Sequence, residues 1–158
     1  MGKLLKEVKI KKVIKKGDYL KYLTKPQKDN FLKGVSKLKG KRIVHINATA
    51  EGGGVAELLQ SMIPYSESVG IESKWYVITP NIGGNFFETT NKFFNGLQGG
   101  EVKISKKDWK EYEDKSKLIA EELDKIDCDV LVIHDTQPLL AGYFSHVGKK
   151  KIFYNHVD

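Results

Sequence analysis

The 158-residue chain has a single cysteine, Cys128, so no internal disulfide or cysteine zinc cluster can brace it. No apolar run approaches a membrane span, and no secretory signal pattern precedes the body of the sequence. A cytoplasmic protein with no membrane partner is therefore expected. No metal-ligand spacing links His45 to Cys128, so no metal is expected, and no cofactor is expected either. Ser66 and Ser68 have no histidine or aspartate partner in any hydrolase pattern, and G-x-S-x-G is absent. Internal repeats and low-complexity tracts are absent too. What remains is a soluble globular composition, 40% apolar and 30% charged, long enough for one ordinary domain.

The net charge of +7 is unevenly spread. Residues 1–42 hold 15 Lys/Arg against 3 Asp/Glu, and the remainder holds 12 against 17. Such a basic segment is compatible with nucleic-acid binding. Its lysines, however, interleave with aliphatic residues at structural spacing, and no recognised binding motif is present. A solvated lysine-rich face is the preferred reading, and residues 1–41 are expected to pack as a basic extension on a domain formed by residues 42–158.

Within the extension, Val8, Ile10 and Val13 alternate with lysines, which predicts a short edge strand within residues 1–16. Helices are predicted over 18–23 and 27–38, the second stopped by Gly40. Strands follow over 43–47, 74–79, 129–135 and 151–155. Between them lie helical patterns from Val55, from Asn85 as cap, from the capping box Ser105–Asp108, and after Pro138. Pro64 predicts a bend or an end in the first of these. Leu58 and Trp109 are assigned to buried stripes. The order of elements implies an α/β, Rossmann-like parallel sheet flanked by helices, with right-handed crossovers.

The chain is organised around residues 43–57. An apolar run ends at Asn47, a small-residue turn follows, and Gly52-Gly53-Gly54 leads into Val55, Leu58, Leu59, Met62 and Ile63, one helical stripe. Glycines at a strand-to-helix junction expose backbone N–H groups, and the helix N-terminus adds partial positive charge, a recipe for holding an anion. The loop lacks the Gly-Lys-Ser/Thr ending of a P-loop, and Glu57 stands where a dinucleotide fingerprint wants its third glycine. An anion site and a turn that merely permits tight packing stand as equal readings of the motif alone.

Ligands of open parallel sheets bind at the carboxyl ends of the strands. Here those ends carry Asn47 with the glycine loop, His134-Asp135, and Asn155-His156. Asp135 reads equally as a helix cap or a sugar-hydroxyl acceptor. His156 is either a ligand group or an incidental residue, and His45, inside its strand, is read as a structural histidine.

With these residues assembled, the chain resembles the amino-terminal half of the trehalose synthase and trehalose phosphorylase group, retaining GT-B glycosyltransferases of family 4. The resemblance rests on the run from His45 to Glu57, on Phe86-Phe87-Glu88-Thr89-Thr90-Asn91-Lys92 and on Asn95-Gly96-Leu97-Gln98-Gly99. The segments Ile133-His134-Asp135-Thr136-Gln137-Pro138 and Tyr154-Asn155-His156-Val157-Asp158 complete it. Thr136, where the family has proline, and Asn155, where cysteine is common, depart from the pattern. The resemblance implies transfer of glucose from a nucleotide sugar, ADP- or UDP-glucose, to glucose, giving trehalose. It implies that Asn47, Gly52, Gly53, Gly54, Val55, Glu57 and Gln137 bind substrate, with Asp135 and His156 at the reacting sugar. It also implies a carboxyl-terminal nucleotide-binding domain that this sequence does not contain, so a fragment, inactive alone, is expected. The alternatives are a non-catalytic phosphate- or nucleotide-binding module and, third, a nucleic-acid-binding domain.

Overall fold

The computed structural model describes residues 2–156. Five strands form one sheet: β1 (Leu5–Glu7), β2 (Arg42–Asn47), β3 (Glu72–Ile78), β4 (Val130–His134) and β5 (Lys150–Tyr154), in spatial order β1-β3-β2-β4-β5. β2 lies parallel to both β3 and β4, and β4 to β5, whereas β1 runs antiparallel along the outer edge of β3. Among the described residues six α-helices surround it: α1 (Lys16–Leu20), α2 (Lys25–Leu38), α3 (Gly54–Ser68), α4 (Phe86–Leu97), α5 (Lys106–Leu123) and α6 (Leu139–Phe144). The Rossmann-like α/β class expected from the sequence is the one observed.

Side-chain alternation sends successive strand residues to opposite faces. Val44 and Ile46 of β2, Ile78 of β3, and Leu131 and Ile133 of β4 join Phe86, Tyr112, Ile119 and Leu123 from α4 and α5 in the larger core. Trp75 and Val77 of β3 pack on the other face against Ala56, Leu59 and Ile63 of α3. By the same alternation His45, Asn47 and His134 face the α3 side. A third cluster, Val35, Val69 and Ile71, fastens α2.

Local signals set the helix starts. Ser105 caps α5 reciprocally: the Asp108 N–H donates to Ser105 Oγ at 3.0 Å, and the Ser105 N–H to the Asp108 carboxylate at 3.1 Å. Thr24 opens α2, its N–H donating to Gln27 Oε1 at 2.9 Å, with Pro26 in the first turn, where no N–H is missed.

Several expectations are corrected. The edge strand is Leu5–Glu7 rather than the stretch through Val13, which is 88% exposed. Leu4 and Leu5 are the buried pair there, and their N–H groups donate to the Glu122 carboxylate at 2.8 and 2.9 Å, pinning the segment to α5. Met1, within that predicted stretch, lies outside the described residues, as do Val157 and Asp158. The first helix starts earlier, at Lys16. Pro64 neither ends α3 nor stops its last turn: it is buried and the helix continues to Ser68. Leu58 and Trp109, assigned to buried stripes, are 43% and 49% exposed, because Ala56, Leu59 and Ile63 on α3 and Tyr112, Ile119 and Leu123 on α5 face the sheet instead. Asn85 makes no side-chain cap; its N–H donates to Glu111 at 2.9 Å. Val130 and Val132 of β4 are only half-buried, since the neighbouring strand β5 is exposed along its length.

Candidate functional site

The carboxyl ends of β2, β4 and β5 meet in one cavity of about 460 Å³, lined by the glycine loop, Asp135, Gln137 and His156. Asn47, Ala48, Thr49, Val55, Ala56 and Phe94 complete its wall. Of the residues singled out in the sequence, the fold therefore brings together Asn47, Gly52, Gly53, Gly54, Val55, Asp135, Gln137 and His156. Glu57 is not among them. One turn into α3, it lines a separate groove beside Lys9, Lys11 and Lys12 of the basic segment.

The loop is built by short polar anchors. Asn47 is buried at the end of β2, and both ends of its amide are engaged: Nδ2 donates to the Thr49 carbonyl at 2.9 Å, and Oδ1 accepts the indole N–H of fully buried Trp75 at 2.7 Å. Thr49 Oγ1 donates onward to the Glu51 carbonyl at 2.9 Å. Asn47 thus shapes the turn that delivers the glycines, and its side chain has little left to offer a ligand.

The three glycines differ. Gly52 has φ +71°, a left-handed conformation that side chains resist. Gly53, at φ 173°, is ordinary extended backbone, and a Cβ on Gly53 or Gly54 would meet nothing within 4 Å. Neither conformation nor crowding within the chain requires glycine at these two positions. They stand at the N-terminus of α3, where backbone N–H groups lack intrahelical partners and the helix dipole is positive. Bare backbone there leaves room for a ligand to lie directly on those N–H groups.

Across the cavity, Asp135 follows β4 with φ +62°, the one non-glycine residue in the left-handed region among the described residues. Strain of this kind, roughly 1 kcal/mol or more, persists only where surrounding contacts fix it. Here the Asp135 N–H donates to the Tyr154 carbonyl at 3.0 Å, and its carboxylate Oδ1 accepts the His156 N–H at 2.7 Å. Asp135 therefore ties the tips of β4 and β5 together, and among the described residues only one of its carboxylate oxygens is engaged. Behind it, Tyr112 Oη donates to the Thr136 carbonyl at 2.6 Å and accepts the Leu140 N–H at 3.4 Å. Burial pushes the Tyr112 phenol up to about 12, so it stays a neutral donor.

Three imidazoles run inward from the cavity. His156 Nε2 is 2.8 Å from His134 Nδ1, and His134 Nε2 is 3.0 Å from His45 Nδ1. Successive rings are stacked, with centroids 5.1 and 5.3 Å apart. Burial, then the neighbouring His134, lowers His45 to about 3; burial, then His156, lowers His134 to about 4. Both inner rings are neutral near pH 7. His45 is buried and hydrogen-bonded through Nδ1 to His134, which links this structural histidine to the cavity. The available signal was a pair of histidines on adjacent parallel strands; with His45 opposite Val132, His134 falls on the same face two residues on. Phe94 of α4 also lines the cavity, a place for which its segment carries no local signal. Among the described residues, no group of three His, Cys, Asp or Glu side chains is arranged to hold a metal ion, and no helix is long and apolar enough to cross a membrane.

Comparison with known proteins gives one consistent result. Residues 45–158 match the family model described as trehalose synthase, N-terminal domain. The chain is 38% identical over 122 residues to a trehalose synthase of Thermococcus litoralis, covering 77% of this chain and 29% of that protein. It is 32% identical over 142 residues to one from Pyrococcus horikoshii, covering 89% and 34%. A third, from Rubrobacter xylanophilus, is 35% identical over 128 residues, covering 77% and 30%. The chain spans about a third of the length of these relatives.

Proposed function

Because the chain belongs to the trehalose synthase N-terminal domain family, we propose that it supplies one wall of a retaining glycosyltransferase site of the GT-B kind. That site moves glucose from a nucleotide sugar, ADP- or UDP-glucose, to glucose. The observation that carries this reading is the single cavity uniting the bare glycines, Asp135, Gln137 and His156. The donor diphosphate lies on the N–H groups at the start of α3, where the helix dipole and backbone donors stabilise the charge that grows on the leaving group. Such preformed dipoles need no reorganisation during reaction, which is why they favour the transition state over the ground state.

Asp135 accepts a hydroxyl of the transferred sugar with its other carboxylate oxygen. By holding the His156 N–H with Oδ1, it sets the backbone whose carbonyl lies near the reacting carbon. Gln137, on the same loop, offers amide donor and acceptor groups to sugar hydroxyls. The nucleotide and the remaining catalytic groups belong to a second domain, for which the greater length of the relatives leaves room. The chain alone binds weakly and does not turn over.

The test is ligand-observed NMR on this chain with UDP-glucose, ADP-glucose, glucose, trehalose and inorganic phosphate. A response to the sugars that Asp135→Asn weakens at least tenfold supports the assignment. Asparagine tolerates the left-handed backbone and keeps an oxygen for the His156 N–H, so the fold should hold within about 0.5 kcal/mol. Phosphate binding indifferent to the sugar and to Asp135→Asn would point instead to a non-catalytic anion module; no response to any of them would end the glycosyltransferase reading.

A further inference from the structure

His134 spends both ring nitrogens on other histidines, Nε2 toward His45 at 3.0 Å and Nδ1 toward His156 at 2.8 Å. A neutral imidazole carries one N–H and one lone pair. His134 must therefore donate to one neighbour and accept from the other, so the two bonds point the same way along the row. Only two proton arrangements satisfy both. In the outward one, His45 Nδ1–H donates to His134 Nε2 and His134 Nδ1–H donates to His156 Nε2. In the inward one, His156 Nε2–H donates to His134 Nδ1 and His134 Nε2–H donates to His45 Nδ1. With all three rings neutral and both bonds made, either arrangement gives them one common tautomer.

Burial keeps the two inner rings from escaping this constraint by charging, as their lowered proton affinities show. The choice between the arrangements falls on His45 Nε2. Among the described residues, the His45 side chain is hydrogen-bonded only to His134. The inward order would leave a His45 N–H, on a residue only 6% exposed, without an acceptor among the described residues, whereas the outward order leaves a bare lone pair there. Among buried backbone groups unpaired donors are rarer than under-used acceptors, and the same preference favours the outward order here.

We propose that His45, His134 and His156 are all held as Nδ1–H tautomers, so that His156 meets the cavity as an N–H donor and His45, which does not line it, is a positioning residue for that donor. The ligand group it suits is an acceptor oxygen, of a phosphate or a sugar. The proton order stands independently of glycosyl transfer; the use made of the donor rests on the function proposed above.

The test is a long-range ¹H–¹⁵N correlation spectrum of the uniformly labelled chain near pH 7, without ligand. Four histidines give four patterns, and exposed His146, outside the row, is the internal reference. The expected result is Nδ1–H at His45, His134 and His156, against the Nε2–H preference of free histidine in His146. Mixed tautomers within the row overturn the chain, and Nε2–H at all three overturns its direction. In His45→Phe, the proposal requires His156 to lose its pure Nδ1–H pattern. A folded variant that retains it removes His45's positioning role. Should His45→Phe not fold, His134→Phe cuts the row one link nearer the cavity and must have the same effect on His156. A row ordered as proposed but unmoved by UDP-glucose, ADP-glucose, glucose, trehalose or phosphate would sink the glycosyltransferase reading while leaving the proton order intact.

Discussion

Mild acid should weaken this protein in a window set by His45 and His134, before its carboxylates titrate. Unfolded, each histidine takes up a proton near pH 6.5; folded, His45 waits until about 3 and His134 until about 4. Between these limits the unfolded chain binds more protons, so stability rises with pH and falls on acidification. From pH 7 to pH 5 the loss is about 2 kcal/mol for each ring, or roughly 4 kcal/mol together, taking 1.36 kcal/mol per unit. That is a large share of the ~5–15 kcal/mol by which domains are stable. Asp108, Asp124 and Asp129 are held below the usual carboxylate range by hydrogen bonds to Ser105, to Ser145, His146 and Val147, and to Arg42, so their contribution is lost only in stronger acid. Urea unfolding at pH 7, 6 and 5, followed by tryptophan fluorescence, reads the effect directly. With a slope of about 2 kcal/mol per molar, the midpoint should drop by about 2 M over this range. His45→Gln, which cannot titrate, should remove about half the drop. A midpoint that moves by less than about 0.5 M, or a variant with the full wild-type slope, would refute neutral burial of the pair.

The other expectations concern the cavity wall. Gly53→Ala should leave the melting temperature unchanged or slightly raised, since its Cβ meets nothing, while the NMR response to nucleotide sugars falls at least tenfold. Gly52→Ala, forced into φ +71°, should instead cost about 1 kcal/mol in urea titration. Asn47→Ala leaves the buried Trp75 indole N–H without its acceptor and frees the turn at Thr49, a loss of about 2–3 kcal/mol with a shift in tryptophan emission. Tyr112→Phe strips the Thr136 carbonyl of its donor and should cost about 1–2 kcal/mol, weakening sugar binding through the Asp135 loop it supports.

The sheet was legible because its signals are local and repeated. Apolar runs at Ile43–Asn47 and Asp129–Asp135, each followed by a helical stripe, leave little choice but parallel strands with crossovers. The errors fall where tertiary packing overrides pattern. Val8, Ile10 and Val13 alternate as well as Leu5 does, and Val8 and Ile10 pack at the rim of the Trp75 cluster. In this segment, however, only Leu4 and Leu5 are buried, with their N–H groups on the Glu122 carboxylate more than a hundred residues away. Glu57 follows the glycines closely in sequence, but the helical turn carries its side chain around α3 to the lysine-lined groove. The histidine row was invisible for a different reason: it needs the register of β2 on β4 and the return of the chain after β5, neither of which is written in any one segment.

The contacts around the cavity divide its wall into two parts. Most of the buried hydrogen bonds near the cavity serve the backbone: Asn47 shapes the glycine turn, Tyr112 holds the Thr136 carbonyl, and Asp135 accepts the His156 N–H. These are interactions a folded chain can complete alone, and they stiffen three strand tips around an opening. Gly53 and Gly54, unlike Gly52, answer to no such internal demand, because a methyl group on either would fit the free protein without displacing anything. On the function proposed above, a framework that fixes Asp135 in a strained conformation yet leaves its facing backbone bare is preorganised for a ligand. The density of supporting contacts on one side and their lack on the other is what an anion-bearing ligand lying along α3's first turn would require. Restoring side chains to that turn should therefore separate the two properties cleanly, abolishing recognition while sparing the fold that supports it.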